Sequence, residues 1–390
     1  MYSFLVALAI GCLFIAAYQY VFYPAAIILA AKVVGGRSQA RPAAHRPKIS
    51  LVIAAYNEAA ILTEKLKNTS QIRYEPFDVI VVTDGSDDGS ETLEMSVPGR
   101  TLTHLHDPER AGKAQAMNRG VAASDADIIV FSDANALYNV DALTEIADAF
   151  SDPQVGLVSG CKTVVARDAQ DGDRGFAKNE GLYWTYENLI RRSEDKLGNT
   201  VATVGEMLAV RRDLFPSFPR WVVNDDAYMT LHVLRAGQNV RYAEGAASWE
   251  LASLKDEDEA KRRARIAVGR WELVARPALW PAKRPFAMLQ LISHKWLRLI
   301  TPFLLIIALV ATALAVLVTP GGVLATLLLA AQLAFYGVAT IGKSRETAAG
   351  PFGKLARLCW FLVRSNLSIL SGFFAWAGRS RPVAWERAER

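Results

Sequence analysis

The stretch VIVVTDGSDDGS, residues 79–90, decides the fold. A short run of apolar, β-branched residues stops at Thr83, and Asp84-Gly85-Ser86-Asp87-Asp88-Gly89-Ser90 then supplies the residue types that dominate turns. The same plan recurs on either side. Ile49–Ala54 reads as a strand, followed by Ala55-Tyr56-Asn57-Glu58 and a helical stretch from Glu58 to Thr69. Thr101–Leu105 reads as another strand, and Ile128–Ser132 as a further one that ends at Asp133-Ala134-Asn135. Short β-rich runs alternating with helical stretches between Arg37 and Arg276 predict an α/β domain, a mostly parallel sheet with helices on both faces. In such sheets ligands bind beyond the carboxyl ends of the strands. Any one of these polar clusters would pass for an ordinary acidic turn, but three at successive strand ends mark a candidate site.

Of the 390 residues, 52% are hydrophobic and 21% charged, and the mean hydropathy is +0.15. These values exclude a disordered chain, a collagen-like repeat and a small disulfide scaffold. The net charge of +5 is modest and no basic stripe with interleaved aromatics occurs, so no nucleic-acid partner is expected. A membrane surface is the better destination for the excess. Cys12, Cys161 and Cys359 are odd in number and far apart, which argues against a disulfide framework or a zinc site and for a reducing compartment.

The apolar excess lies toward the two ends. Tyr2–Ala31 carries no charge and is long enough to cross about 30 Å of hydrocarbon. It lacks the basic leader and short apolar core of a cleaved signal peptide. Lys32, Arg37, Arg41, Arg46 and Lys48 follow, so the positive-inside rule places the middle domain in the cytoplasm and the N-terminus outside. Leu299–Thr319 and Val323–Ile341, joined by Pro320-Gly321-Gly322, read as a transmembrane hairpin that returns to Lys343, Arg345, Lys354 and Arg357. Leu355–Ala377 is interrupted by Arg357, Arg364, Ser365, Asn366 and Ser368. It is expected to lie in the interface or insert partly, keeping Arg379, Arg381, Arg387 and Arg390 inside. Pro285–Arg298 mixes Phe286, Leu289, Ile292 and Trp296 with His294, Lys295 and Arg298, as an interfacial helix would. The expected organisation is an N-terminal transmembrane helix (1–34), a cytoplasmic α/β domain (35–276), an amphipathic interface helix (277–298), a transmembrane hairpin (299–342) and an interfacial or partly inserted helix with a basic tail (343–390).

Taken in order, Tyr56-Asn57-Glu58, Asp84-Gly85-Ser86, Gly112-Lys113-Ala114 leading to Met117-Asn118, Asp133-Ala134-Asn135, Gly205-Glu206, Asp225-Asp226 and Arg270-Trp271 resemble the motifs of the inverting family 2 glycosyltransferases of GT-A fold. The resemblance covers roughly Lys48–Trp271. With its flanking apolar helices the chain looks like the membrane-bound polysaccharide synthases of that family, such as hyaluronan, chitin-oligosaccharide and poly-N-acetylglucosamine synthases.

The resemblance implies a UDP-sugar donor (UDP-GlcNAc or UDP-glucose), a growing β-linked glycan as acceptor, Mg²⁺ or Mn²⁺ as cofactor, and a multi-pass protein of the cell (inner) membrane. It also implies roles for particular residues. Tyr56, Glu58 and Asp84 would lie against the base and ribose, and Lys113 would neutralise phosphate. Asp133 and Asn135 would hold the metal across the diphosphate, Asn135 as a neutral and weaker ligand. Of the Asp225-Asp226 pair, Asp226 would be the catalytic base. Glu206, Arg270 and Trp271 would serve the acceptor and the diphosphate, with Trp271 stacking on a sugar ring. The chain departs from the pattern at Thr83, where many relatives carry a first acid, and at Ala267, where the Gln-x-x-Arg-Trp motif has its glutamine.

Plainer readings of the same residues exist. Asp133 or Asn135 suits a helix N-cap, Asp225-Asp226 an acidic first turn, and Arg270-Trp271 an interface anchor. Two other functions fit the pattern: single-sugar transfer to a polyprenyl-phosphate or lipid acceptor, and non-catalytic binding of a nucleotide sugar at the membrane. A homo-oligomer is a further option. Asp168, Asp171 and Asp173 have the wrong spacing for an EF-hand, and His104 and His106 lack a third metal ligand nearby. The run 255–265 places Glu257, Asp258 and Glu259 four residues before Lys261, Arg262 and Arg263, as a solvated helix face would.

Overall fold

The computed structural model describes residues 1–34, 46–165, 174–251, 256–343 and 350–378. Arg37, Arg41, Asp168, Asp171, Asp173, Lys255, Arg345 and the arginines of the C-terminal tail lie outside the described residues.

Among the described residues, one sheet contains β1 (Ile49–Ala55), β2 (Phe77–Asp84), β3 (Leu102–Asp107), β4 (Ile128–Asp133), β5 (Leu137–Tyr138), β6 (Val155–Val165), β7 (Met207–Arg211) and β8 (Asn239–Leu251), in the order β3-β2-β1-β4-β7-β6-β8-β5. The first four strands pair in parallel. β7 runs antiparallel to β4 and β6, while β6 and β8 pair in parallel. The predicted α/β class therefore holds, with antiparallel pairs confined to the later half. Register brings the polar clusters to one edge: Ala54 is opposite Asp133, and Ala55 opposite Thr83.

Alternate strand residues point to opposite faces, so each apolar strand feeds two cores. Ile49, Leu51, Ile53, Val79 and Val81 pack with α2 (Ala59–Ser70) and α4 (Ala142–Ala149). Val52, Ala54, Ile80 and Val82 pack with α3 (Lys113–Ala122) and α6 (Asp225–Arg235). Full burial of each Val, Ile or Leu side chain contributes about 1.5–3 kcal/mol. α3 rides close to the sheet because Gly120 has no side chain: a Cβ there would stand 2.4 Å from Cγ1 of Val52.

The remaining helices are α1 (Tyr2–Val33), α5 (Arg174–Lys196), α7 (Asp256–Val274), α8 (Pro285–Val318), α9 (Val323–Gly342) and α10 (Pro351–Ala377). By length and composition, four of the described helices could cross a membrane: α1, α8, α9 and α10. The segment read as a separate interface helix continues without a break into α8. α1 packs on α8, and α10 on both α9 and α7.

That last contact corrects the solvated-face expectation for α7. Glu259 is buried, paired at 2.6 Å with both Arg262 and Arg263. Arg263 also donates to Ser365 of α10 and lies over the Phe361 ring. Burial alone would raise the Glu259 carboxyl, but the two arginines hold it down at about 2.

Where the apolar helices meet the α/β domain, α1 and α8 each open into a π turn, Tyr18–Phe22 and Leu291–Trp296. Such turns free side chains and backbone from strict helical register. Tyr18 and Ser293 share a hydrogen bond of 3.0 Å, and the Tyr23 hydroxyl donates to Glu194 at 2.6 Å. His294 stands 2.8 Å from Glu194 and 3.0 Å from Glu187. Glu187 also pairs with Lys295, and with Arg298 at 3.1 Å. Burial would raise both carboxyls; Arg298, Lys295 and His294 instead hold Glu187 well below the usual range, and His294 and Tyr23 lower Glu194.

Removing one partner of a buried charged cluster typically costs about 3–5 kcal/mol, and an exposed pair about 1 kcal/mol or less. Glu187→Ala is therefore expected to lower the thermal midpoint in detergent strongly. Arg192→Ala, which breaks only the half-exposed pair with Glu244, should leave it near wild type. Equal midpoints for the two variants would show that the junction does not hold the fold.

Candidate active site

The site grows from the carboxyl ends of β1, β2 and β4. After β1 the chain turns at Asn57, whose φ of 52° lies in the left-handed region that Asn tolerates better than most residues. The Asn57 side chain donates to Asp87 at 2.8 Å and accepts from the Asp87 amide at 3.0 Å, while Asp88 accepts from the amide of Ala59. The 56–58 and 84–90 turns are thus zipped into one ledge. On it the Arg110 guanidinium lies 3.7 Å from the centre of the Tyr56 ring. Gly85 permits that approach, since a Cβ there would stand 2.6 Å from Cβ of Arg110.

Asp84 is turned inward and is only 1% exposed. It accepts from the amides of Ala111 (3.2 Å) and Gly112 (2.6 Å) and from Arg119 (2.5 Å). A carboxylate is an acceptor-only group, and here its oxygens brace the loop that launches α3. Sequence reading recognised Asp84 as a site residue but had no means of seeing that its partners come from 27 to 35 positions away.

That braced loop presents Lys113, the first residue of α3. Its ammonium lies 2.6 Å from Asp133 at the end of β4 and 3.5 Å from Asp225 in the first turn of α6. Although burial opposes charge, Asp133 and Asp225 raise the Lys113 pKa above its ordinary value, so it is a fixed cation. Asp226 follows on α6, accepting from the Ala227 amide at 2.7 Å. Burial, then the neighbouring Asp225, push the Asp226 carboxyl up to about 6 against the pull of Arg270. Asp226, Asn224 and Thr203 line a cleft together with Arg270 of α7 and Lys295 and Trp296 of α8.

Among the described residues, no three His, Cys, Asp or Glu side chains gather into a metal cage. Asp133 and Asp225 nonetheless cradle an ammonium. This donor set fits a hard cation held by one or two carboxylates, with further oxygens from a diphosphate and water.

The other expected residues lie around this centre. Glu206 is buried between Lys162 and Ser248, the latter at 2.9 Å. Lys162 also pairs with Glu250, which accepts a long 3.4 Å contact from Asn135. Asn135 is thereby tied to a buried polar core next to Asp133. The Trp271 ring stacks on Trp376 of α10 at 5.6 Å and meets Phe373 edge-on, so it packs against an apolar helix. Sequence reading missed Arg110, Lys162 and Lys295. For Lys295 a signal existed, a cation inside an apolar run; Lys162 sits in an ordinary strand and gave none.

Residues 46–269 match the model of the family described as glycosyltransferase like family 2. The poly-beta-1,6-N-acetyl-D-glucosamine synthase of Staphylococcus aureus is 24% identical over 267 residues, covering 66% of this chain and 64% of that protein. The probable glycosyltransferase YdaM of Bacillus subtilis is 26% identical over 215 residues, covering 52% of this chain and 50% of its own. The chain thus matches less than two thirds of the length of these relatives. Among solved structures, the mannosyltransferase PcManGT from Pyrobaculum calidifontis, in complex with GDP-Man and Mn²⁺, aligns with a TM-score of 0.64 at 25% identity, covering 94% of this chain and 99% of that one.

A carboxyl that titrates near 6 in the fold, above its ordinary 3.8, makes the folded state the tighter proton binder. Its stabilising contribution is complete at about pH 4 and is lost as pH rises through 6. Asp226→Asn should therefore unfold at a higher temperature than wild type at pH 8, by an amount corresponding to at most about 3 kcal/mol. The two proteins should converge near pH 4. A constant difference across that range would show that Asp226 is not electrostatically frustrated.

Proposed function

The chain belongs to the glycosyltransferase-like family 2, and we propose that it is a membrane-integral inverting glycosyltransferase that extends a β-linked glycan from a UDP-sugar. The observation that carries this is the placement of Asp226. It is a carboxyl pushed up to about 6, sharing a cleft with Arg270, beside the carboxylates that cradle Lys113 at the strand ends.

In this reading the donor base lies on the ledge of Tyr56 and Glu58, with Asp84 acting through the 110–112 loop that it braces. Lys113 faces the diphosphate. Asp226 takes the proton from the acceptor hydroxyl as that oxygen attacks the anomeric carbon from the side opposite the nucleotide. A base near 6 is largely ionised at neutral pH yet still basic enough to accept a proton. Asp225, one residue earlier, keeps it so. Arg270 offsets charge in the cleft as the diphosphate leaves. When bound, a divalent ion would neutralise the leaving diphosphate, and Asp133, with Asn135 as a neutral oxygen, would hold it. Glu206 positions this floor through Lys162, and Trp271 fixes Arg270 against α10.

The likeness to poly-beta-1,6-N-acetyl-D-glucosamine synthase supports N-acetylglucosamine as the sugar transferred and a polymer as product, with UDP-GlcNAc or UDP-glucose the donors to test. The nearly full-length likeness to a mannosyltransferase bound to GDP-Man supports a second reading, a guanosine-linked donor. We place α1, α8 and α9 across the inner membrane, α10 at or partly in the interface, and the α/β domain in the cytoplasm.

Purified protein supplied with Mn²⁺ and radiolabelled donors should release UDP from UDP-GlcNAc or UDP-glucose and label a product. Long products on a gel indicate a polymer, and single additions indicate transfer to a lipid acceptor. Asp226→Asn should lose about 10²–10⁴-fold in rate, and kcat/KM of the wild type should rise with pH through about 6. Full activity in Asp226→Asn, or turnover of GDP-mannose alone, would contradict the UDP-sugar mechanism.

A further inference from the structure

We propose that Lys113 is a resident cation that occupies the metal position while the donor is absent, so that divalent metal binds this protein strongly only together with the nucleotide. The inference rests on the donor reading above and adds a coupling between two ligands.

Three features of the structure carry it. The first is position: the Lys113 ammonium sits 2.6 Å from Asp133 and 3.5 Å from Asp225, between the carboxylate expected to hold the metal and a second one beside it. All three side chains are largely enclosed, at 16%, 25% and 15% exposure. The second is fit. Gly205 forms the wall of this cradle, where a Cβ would stand 3.3 Å from both the Lys113 ammonium and an Asp225 oxygen. The space is thus sized to the ammonium. The third is attachment. Lys113 begins α3 immediately after the loop that Asp84 clamps through the Ala111 and Gly112 amides, on the edge where the donor would lie.

A dication and an ammonium repel, and two carboxylates this close together cannot serve both. A metal arriving alone must displace Lys113 from both carboxylates, leaving Asp226 as the acid still near the ammonium. A diphosphate changes both sides of the exchange: it gives the ammonium a new partner and gives the metal the oxygens that the protein lacks. Metal and nucleotide must then each raise the affinity for the other by the same factor.

The experiment is a titration of full-length protein in detergent with Mn²⁺, read by electron paramagnetic resonance of free Mn²⁺, with and without UDP. Wild type should bind Mn²⁺ weakly alone and at least about 10-fold more tightly with saturating UDP. Lys113→Met, which keeps the length of the side chain without its charge, should bind Mn²⁺ alone about 10-fold more tightly than wild type. That gain should vanish when Asp133→Ala is added, and Lys113→Arg should retain the wild-type coupling. Size-exclusion elution and the thermal midpoint report whether each variant is folded.

Wild type binding Mn²⁺ equally well with and without UDP overturns the proposal whether or not any variant folds. So does a folded Lys113→Met that binds Mn²⁺ alone no better than wild type. Failure of wild type to bind Mn²⁺ even with UDP overturns the donor reading itself, and this inference with it.

Discussion

A carboxylate taken out of water must bring a cation with it, because the desolvation of each ion costs several kcal/mol that only close, hydrogen-bonded pairing returns. Among the described residues the protein meets that constraint repeatedly, and three such sets frame the site and its attachment to the apolar helices. Glu187 and Glu194 are matched by His294, Lys295 and Arg298 where the apolar helices join the α/β domain. Glu206 and Glu250 are matched by Lys162 under the sheet. Asp133 and Asp225 are matched by Lys113 at the strand ends. In the third set the balance is incomplete. Asp226 stands beside Asp225 with its carboxyl pushed up to about 6, and this uncompensated acid is what the site has available for chemistry.

The same pairing ties the apolar helices to the site. α8 contributes the cations that neutralise Glu187, and from the same π turn it sends Lys295 and Trp296 into the Asp226 cleft. α10 holds α7 from the other side through Trp376 on Trp271, next to Arg270. Part of the cleft lining therefore comes from α8, a helix long and apolar enough for a membrane. In the proposed reaction an acceptor reaching Asp226 would pass residues of both the α/β domain and α8.

Sequence alone revealed the strands β1 and β4 to within one residue and β2 to within two, because apolar β-branched runs bounded by Asp, Gly and Ser admit few other structures. It also picked out Asp133, Asp225 and Asp226, which lie directly after a strand or at the start of a helix. Contacts between distant segments stayed hidden. The partners of Lys162 are 44 and 88 residues away, and those of Asp84 lie in the next loop and on α3, so this carboxylate, expected against the base and ribose, is enclosed by its own chain. Glu259 misled for a related reason: acid and base four residues apart look alike on a solvated face and on a face packed against α10. The break expected between an interface helix and a span near residue 299 has no counterpart in α8, because a basic π turn interrupts the hydropathy without interrupting the helix.

The central claim is that Asp226 serves a single displacement at the anomeric carbon, and the stereochemistry of the product tests it most directly. Proton NMR of the product formed from an α-linked nucleotide sugar reads the new anomeric configuration. Attack opposite the leaving diphosphate, with Asp226 as base, predicts a β-linkage. An α-linked product would mean retention, and so two displacements or a front-side path, and would contradict the role assigned to Asp226.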